Sequence, residues 1–143
     1  MVLKLNLDMS GKNKLLIWEP FEKKPEEIFF DSLVAGQAGF TINFRLPSDN
    51  HILRFEFGYT VVFYQSQTDA VSLKSLDEYG DDIFLSPFLI VENSKLIDSI
   101  VESSYGIIES TESINLIFRH ADGIINTVSS CLPKASLVID DDE

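Results

Sequence analysis

The sequence predicts an α+β fold: a mainly antiparallel sheet of about six strands with one principal helix packed on it. Three stretches carry that prediction. Phe40, Ile42, Phe44 and Leu46 alternate with polar residues, and after Pro47-Ser48-Asp49-Asn50 the residues Leu53, Phe55 and Phe57 alternate again, which is the pattern of a half-buried hairpin. Residues 92–106 combine a polar helix start at Glu92-Asn93-Ser94, an apolar face in Leu96, Ile97, Ile100 and Val101, and a stop at Tyr105-Gly106. Residues 115–128 read as two strands folded back at Asp122-Gly123, a pair suited to a type I′ turn.

Taken in order, Leu3, Leu5 and Leu7 alternate with Lys4, Asn6 and Asp8 as a half-buried strand, and Ser10-Gly11-Lys12-Asn13 forms a turn. Leu15-Leu16-Ile17-Trp18 then pairs back onto that strand, and Pro20 ends the run. Pro25-Glu26-Glu27 has the form of a first helical turn, with Ile28, Phe29 and Leu33 following and Gly36 as a stop, although Phe29-Phe30 suits a strand equally. After the hairpin, Gly58 introduces Thr60-Val61-Val62-Phe63-Tyr64, which is apolar on both faces and expected to be a central strand completing a three-stranded meander. Residues 65–82 are polar, and Phe84 to Val91, interrupted by Pro87, is expected at or near a sheet edge. In the helix Asn93 or Ser94 caps the start, Asp98 favours the first turn and Gly106 allows a left-handed exit. A helix of about a dozen residues is marginal alone, so its apolar side must pack on the sheet. Residues 136–139 add a last short strand.

Length and composition bound the rest. A chain of 143 residues, 45% hydrophobic, with eleven Phe, four Tyr and one Trp, is assigned to a single globular domain over 1–139 with an aromatic-rich core. The acidic tail 140–143 is expected to be disordered by self-repulsion. The sequence carries no 18-residue apolar run and no leader pattern, so a soluble, unexported, cytoplasmic protein is expected. A lone Cys131 cannot form an internal disulfide.

The net charge is −12, and five of the eleven basic residues fall in the first 24 positions. The remainder is strongly anionic. Phosphate backbones require Lys and Arg contacts, so direct nucleic-acid and anionic-membrane partners are disfavoured, whereas a cationic protein is attracted at long range. The densest internal charge is Asp77-Glu78-Tyr79-Gly80-Asp81-Asp82, four carboxylates in six residues. An EF-hand needs alternating ligands closed by a Glu at its twelfth position, and that spacing is missing, so no metal is expected there. Asp77, Glu78, Asp81 and Asp82, with Tyr79 as an aromatic anchor, are the candidate partner-binding residues, because an aromatic side chain beside carboxylates combines buried area with charge pairing.

Catalytic chemistry finds no supporting motif. His51 and His120, with Cys131 and the serines, lack a Gly-x-Ser-x-Gly elbow, a Cys-x-x-Cys pair, a His-Glu-x-x-His helix or a phosphate loop. No catalytic residue and no cofactor is assigned, and the chain is read as a non-enzyme. Cys131 is expected to be a small buried thiol, Trp18 core, and Arg119 and His120 partners in cross-strand hydrogen bonds.

Val91-Glu92-Asn93-Ser94-Lys95-Leu96-Ile97, Ser104-Tyr105-Gly106-Ile107, the run from Ile117 to Ser129, and Pro133 together resemble the C-terminal half of bacterial immunity proteins. Those proteins accompany polymorphic toxins and contact-dependent growth-inhibition effectors. Upstream, Phe55-Glu56-Phe57-Gly58-Tyr59-Thr60-Val61-Val62 is similar to the preceding strand region. The chain departs where relatives often carry a Tyr after the His of the penultimate strand. The resemblance implies a cytosolic toxin inhibitor that binds a cognate toxin domain, often a basic nuclease, and covers its active site; a monomer is favoured. The rival reading is an acidic secretion-effector chaperone, which would dimerise and hold an unfolded segment on exposed apolar patches. A small hydrolase or metal-dependent enzyme is third.

Overall fold

Alternation along residues 40–57 places one file of large apolar side chains on a single face, and in the computed structural model that face lies at the centre of the molecule. The structure describes residues 13–47, 50–68 and 79–139. Nine strands are described: β1 (Lys14–Ile17), β2 (Phe29–Gly36), β3 (Gly39–Arg45), β4 (His51–Gly58), β5 (Val61–Thr68), β6 (Phe88–Glu92), β7 (Ile114–His120), β8 (Gly123–Ser129) and β9 (Lys134–Ile139). One α-helix, α1 (Lys95–Ser103), and two 3-10 turns, Gly80–Phe84 and Ser110–Glu112, complete them. The strands form two antiparallel sheets, ordered β1-β6-β7-β8-β5 and β2-β3-β4-β9. The expected single sheet of about six strands is therefore two sheets, mostly strand with one helix.

The sheets are joined by aromatic packing. Phe40, Ile42, Phe44, Leu53, Phe55 and Phe57 from one sheet meet Phe88, Leu116, Phe118 and Ile125 from the other. Phe55 and Phe118 sit 4.9 Å apart centre to centre and edge-to-face, the favoured arrangement of two quadrupolar rings. Trp18, 5% exposed, closes the core against Phe55, Phe88 and Phe118. The opposite face of the five-stranded sheet carries a second cluster, Leu15, Ile17, Leu89, Val91, Ile117 and Ile124, plugged by Ile83. Its inner strands β7 and β8 are buried on both faces, whereas β5 is not.

Several expectations are corrected. The expected meander breaks after β4: Gly58 adopts φ 62°, Thr60 Oγ1 donates to the Phe57 carbonyl at 2.8 Å, and β5 crosses to pair with β8. The edge of β4 that β5 leaves open is taken by β9, with Glu56 directly opposite Lys134. Among the described residues β5 is accordingly an edge strand, not a central one. β6 lies near an edge as expected, one strand in from β1 among the described residues, but Pro87 precedes the strand instead of interrupting it, and its carbonyl accepts the Arg119 backbone N–H at 2.8 Å. At the β7–β8 turn the paired ends are His120 and Gly123, so the loop residues are Ala121 and Asp122, neither with the positive φ of a type I′ turn. Cys131 is exposed in the β8–β9 connection, where its carbonyl accepts the Ser129 hydroxyl. The Pro25–Gly36 segment resolves as strand over β2. The expected strand at Leu3–Leu7, the Ser48-Asp49 part of the hairpin turn and the tail 140–143 lie outside the described residues.

The helix forms as expected, and a buried polar cap ties it to the sheet. Ser94 Oγ accepts the Ile97 N–H at 3.1 Å and donates to Asn115 Oδ1 at 2.9 Å, while Asn115 Nδ2 donates to the Thr127 carbonyl at 3.0 Å. One buried hydroxyl thus caps the helix and ties it to β7. Of the apolar face Ile97 is fully buried, and Leu96, Ile100 and Val101 are half-buried. Ser94→Ala should cost about 1–2 kcal/mol, since it removes a cap and strands a buried amide oxygen; an unchanged urea midpoint would show that neither bond matters.

Candidate partner-binding surface

The acidic turn follows from a short plug between two charged flanks. Gly80 adopts φ 64°, which lets the chain enter the 3-10 turn, and Ile83, 1% exposed, drops into the second core cluster. Asp81 is exposed and Asp82 half-exposed in the first turn, and the Asp82 carbonyl accepts the Leu85 N–H at 3.1 Å. Two cations hold the turn from below. Arg119 Nε donates to the Ile83 carbonyl at 3.1 Å with its guanidinium 5.6 Å from the centre of the Phe84 ring, and Lys24 Nζ donates to the Leu85 carbonyl. Burial pushes the Arg119 guanidinium below its ordinary range, against the opposing pull of the Glu27 carboxylate.

Of the five residues read from the sequence, Tyr79, Asp81 and Asp82 are placed together; Asp77 and Glu78 lie outside the described residues. Tyr79 is half-buried against the second cluster, and Phe84, 57% exposed, is the aromatic this turn presents outward. His120, expected in a cross-strand hydrogen bond, is buried: its ring packs 5.6 Å from Phe30 and 6.1 Å from Phe44, and Nδ1 accepts the N–H of Asp122 in the adjoining turn at 3.2 Å. Arg119, expected to bond across the strand pair, bonds to the acidic turn.

A second surface escaped the sequence reading. A groove of about 370 Å³ lies between α1, the 110–112 turn and the ends of β1 and β6. Leu16, Ile90, Ile97 and Ile114 give it an apolar lining, and Glu92 and Asp98 are its charged residues. Beyond α1, Ser104 anchors the exit: its carbonyl accepts the Ile107 N–H at 3.2 Å and its hydroxyl accepts the Ile108 N–H at 3.0 Å. Tyr105 at φ 53° and Gly106 at φ 86° then throw Tyr105, 96% exposed, and Ile107, 87% exposed, into solvent. The sequence treats Tyr105-Gly106 only as a helix stop. The available signal was charge, because no Lys or Arg occurs between Lys95 and Arg119 while Asp98, Glu102, Glu109 and Glu112 do. A second groove of about 390 Å³, between the β2–β3 turn and β5, is lined by uncharged residues, among them Phe40, Tyr59 and Tyr64.

No family model, no curated protein and no solved structure matches this chain. The site is therefore read from its own chemistry. Among the described residues no three His, Cys, Asp or Glu side chains are grouped to hold a metal ion, and no helix is long and apolar enough to cross a membrane.

Proposed function

We propose that this chain is an immunity protein, which binds a cognate toxin domain of opposite charge in the cytoplasm and neutralises it by covering its active site. The observation that carries the reading is the display of carboxylates on fixed elements of a chain with net charge −12. Asp81 and Asp82 sit on a turn locked by Ile83, Arg119 and Lys24, so their positions are set before a partner arrives. Preorganised charge of one sign raises the encounter rate with a basic partner and lowers the ordering cost of the complex. Inhibition by coverage needs a rigid scaffold and no reaction of its own, which a two-sheet sandwich supplies.

The test is co-expression with the product of the neighbouring reading frame. Suppression of that product's toxicity, with a stable one-to-one complex on gel filtration, is the expected result; undiminished toxicity with no complex would overturn the reading. Within such a complex, reversing Asp77, Glu78, Asp81 and Asp82 together should slow association by roughly tenfold or more at low salt, while the domain stays folded. An unchanged association rate would remove the acidic turn from the encounter surface.

A further inference from the structure

We propose that the groove beside α1, together with Tyr105 and Ile107 on the loop that leads from α1 to the 110–112 turn lining it, is the surface that holds the partner, and that its occupant is a Lys- or Arg-bearing segment of a basic protein. The proposal rests on the immunity reading for the partner's biology but on the groove itself for the partner's chemistry.

Three features of the surface select that occupant. The lining joins aliphatic side chains, Leu16, Ile90, Ile97 and Ile114, to the carboxylates of Glu92 and Asp98. A long cationic side chain matches this combination, because its methylene stem covers apolar surface while its head reaches a carboxylate. The flanking charges Glu102, Glu109 and Glu112 have the same sign. Lys14 is the register partner of Glu92, and neither it nor Lys95 at the helix start lines the groove. A second copy of this chain would bring like charges together, so self-association through this face is opposed.

Tyr105 supplies the other argument. A bulky residue at φ 53° is strained, yet the strained residue is among the most exposed of the protein and contributes nothing to its core. Ile107 stands equally uncovered two residues later. Ser104 holds the loop that carries both, so they are presented and not trailing. Tyrosine is a preferred residue at the centre of binding surfaces, where a stiff ring buries large area with little entropy loss. The acidic turn and the groove thereby take different parts: the turn steers encounter, and the groove with its two anchors sets residence.

The experiment uses the double variant Tyr105→Asn, Ile107→Ser in the full chain. Asparagine tolerates the left-handed conformation and both positions are exposed, so the thermal midpoint should not fall. The probe is a decapeptide of alternating Lys and Leu, titrated into isotope-labelled protein, with a Glu-for-Lys peptide as control. Saturable amide shifts confined to residues 90–98 and 104–114, absent with the control and weakened roughly thirtyfold in the variant, are expected. Shifts scattered over the whole acidic surface, no shifts, or equal response to the control would overturn the proposal. With the toxin itself, the variant should dissociate roughly thirtyfold faster at nearly unchanged association rate. Unaltered dissociation would sink this surface while leaving the immunity reading intact; peptide binding in the groove without any toxin suppression would uphold the surface and sink the immunity reading.

Discussion

Phe55→Ala is expected to lower the unfolding free energy by about 3–5 kcal/mol, the range for removing a fully buried aromatic ring. The side chain is 0% exposed and touches five rings: Phe118 at 4.9 Å, Phe88 at 5.2 Å, Trp18 and Phe21 at 5.7 Å, and Phe44 at 5.9 Å. Those partners come from both sheets and from the segment after β1, so no single element can move inward to refill the space. Each neighbour also loses an edge-to-face or tilted contact worth about 0.5–1.5 kcal/mol beyond area burial. A domain of this size has about 5–15 kcal/mol in total, so the variant should sit near its threshold. Trp18 reports directly, because its indole loses a ring contact in the native state. Urea unfolding followed by Trp18 fluorescence should give a much lower midpoint at similar slope; a shift worth under about 1 kcal/mol would mean that the sheets close over the gap.

How much of this was legible in the sequence depends on whether a strand kept its period. β3 and β4 alternate without interruption on their apolar side, and both were placed from that pattern, as were α1 and the β7–β8 pair. β2 was ambiguous for a specific reason. A register shift between Phe30 and Ser32 adds a residue to the strand, which puts Phe30 and Leu33, the register partners of Phe44 and Ile42, three apart, the spacing of a helix face. β5 misled in the same way: a shift between Val61 and Phe63 lets apolar residues follow one another without central burial. Alternation also carries no information about which sheet a strand joins. The step from β4 to β5 looks like a meander locally, and only the competition of β9 for the same edge excludes it.

The candidate site was legible as charge and illegible as shape. Asp81 and Asp82 are outward as expected, but Tyr79 faces the second cluster because Ile83 needs a neighbour to seal the sheet. Whether an aromatic ring in an acidic run points in or out depends on an apolar face that belongs to strands far along the chain. Tyr105 and Ile107 were hidden by their own local role, since a helix stop explains Tyr105-Gly106 without reference to solvent.

Gly123→Ala should cost about 3 kcal/mol, close to the loss of the core ring, although it adds one methyl group at a turn. Gly123 opens β8 between two strands, opposite His120 of β7 and Thr68 of β5. A Cβ there would run into the Gln67 carbonyl oxygen and lie 2.9 Å from the Gln67 carbonyl carbon and 3.0 Å from the Thr68 Cα. All three are backbone atoms, so no side chain can swing aside and the strand itself must retreat. Moving β5 breaks its ladder with β8 from the Thr68 end, and because β5 is an edge strand no neighbour on its other side opposes the retreat among the described residues. The loss should therefore appear first as faster hydrogen exchange at residues 65–68, with β7–β8 amides protected longer, and then as a lower global midpoint. Gly36→Ala is the control. Its Cβ meets nothing within 4 Å and its backbone needs no glycine, so that change should be neutral or stabilise by about 0.4–1 kcal/mol through the unfolded chain. Equal effects at the two glycines would mean that β5 does not approach Gly123 as closely as described; a large loss at Gly123 alone, with exchange fastest at the end of β5, is the expected pattern.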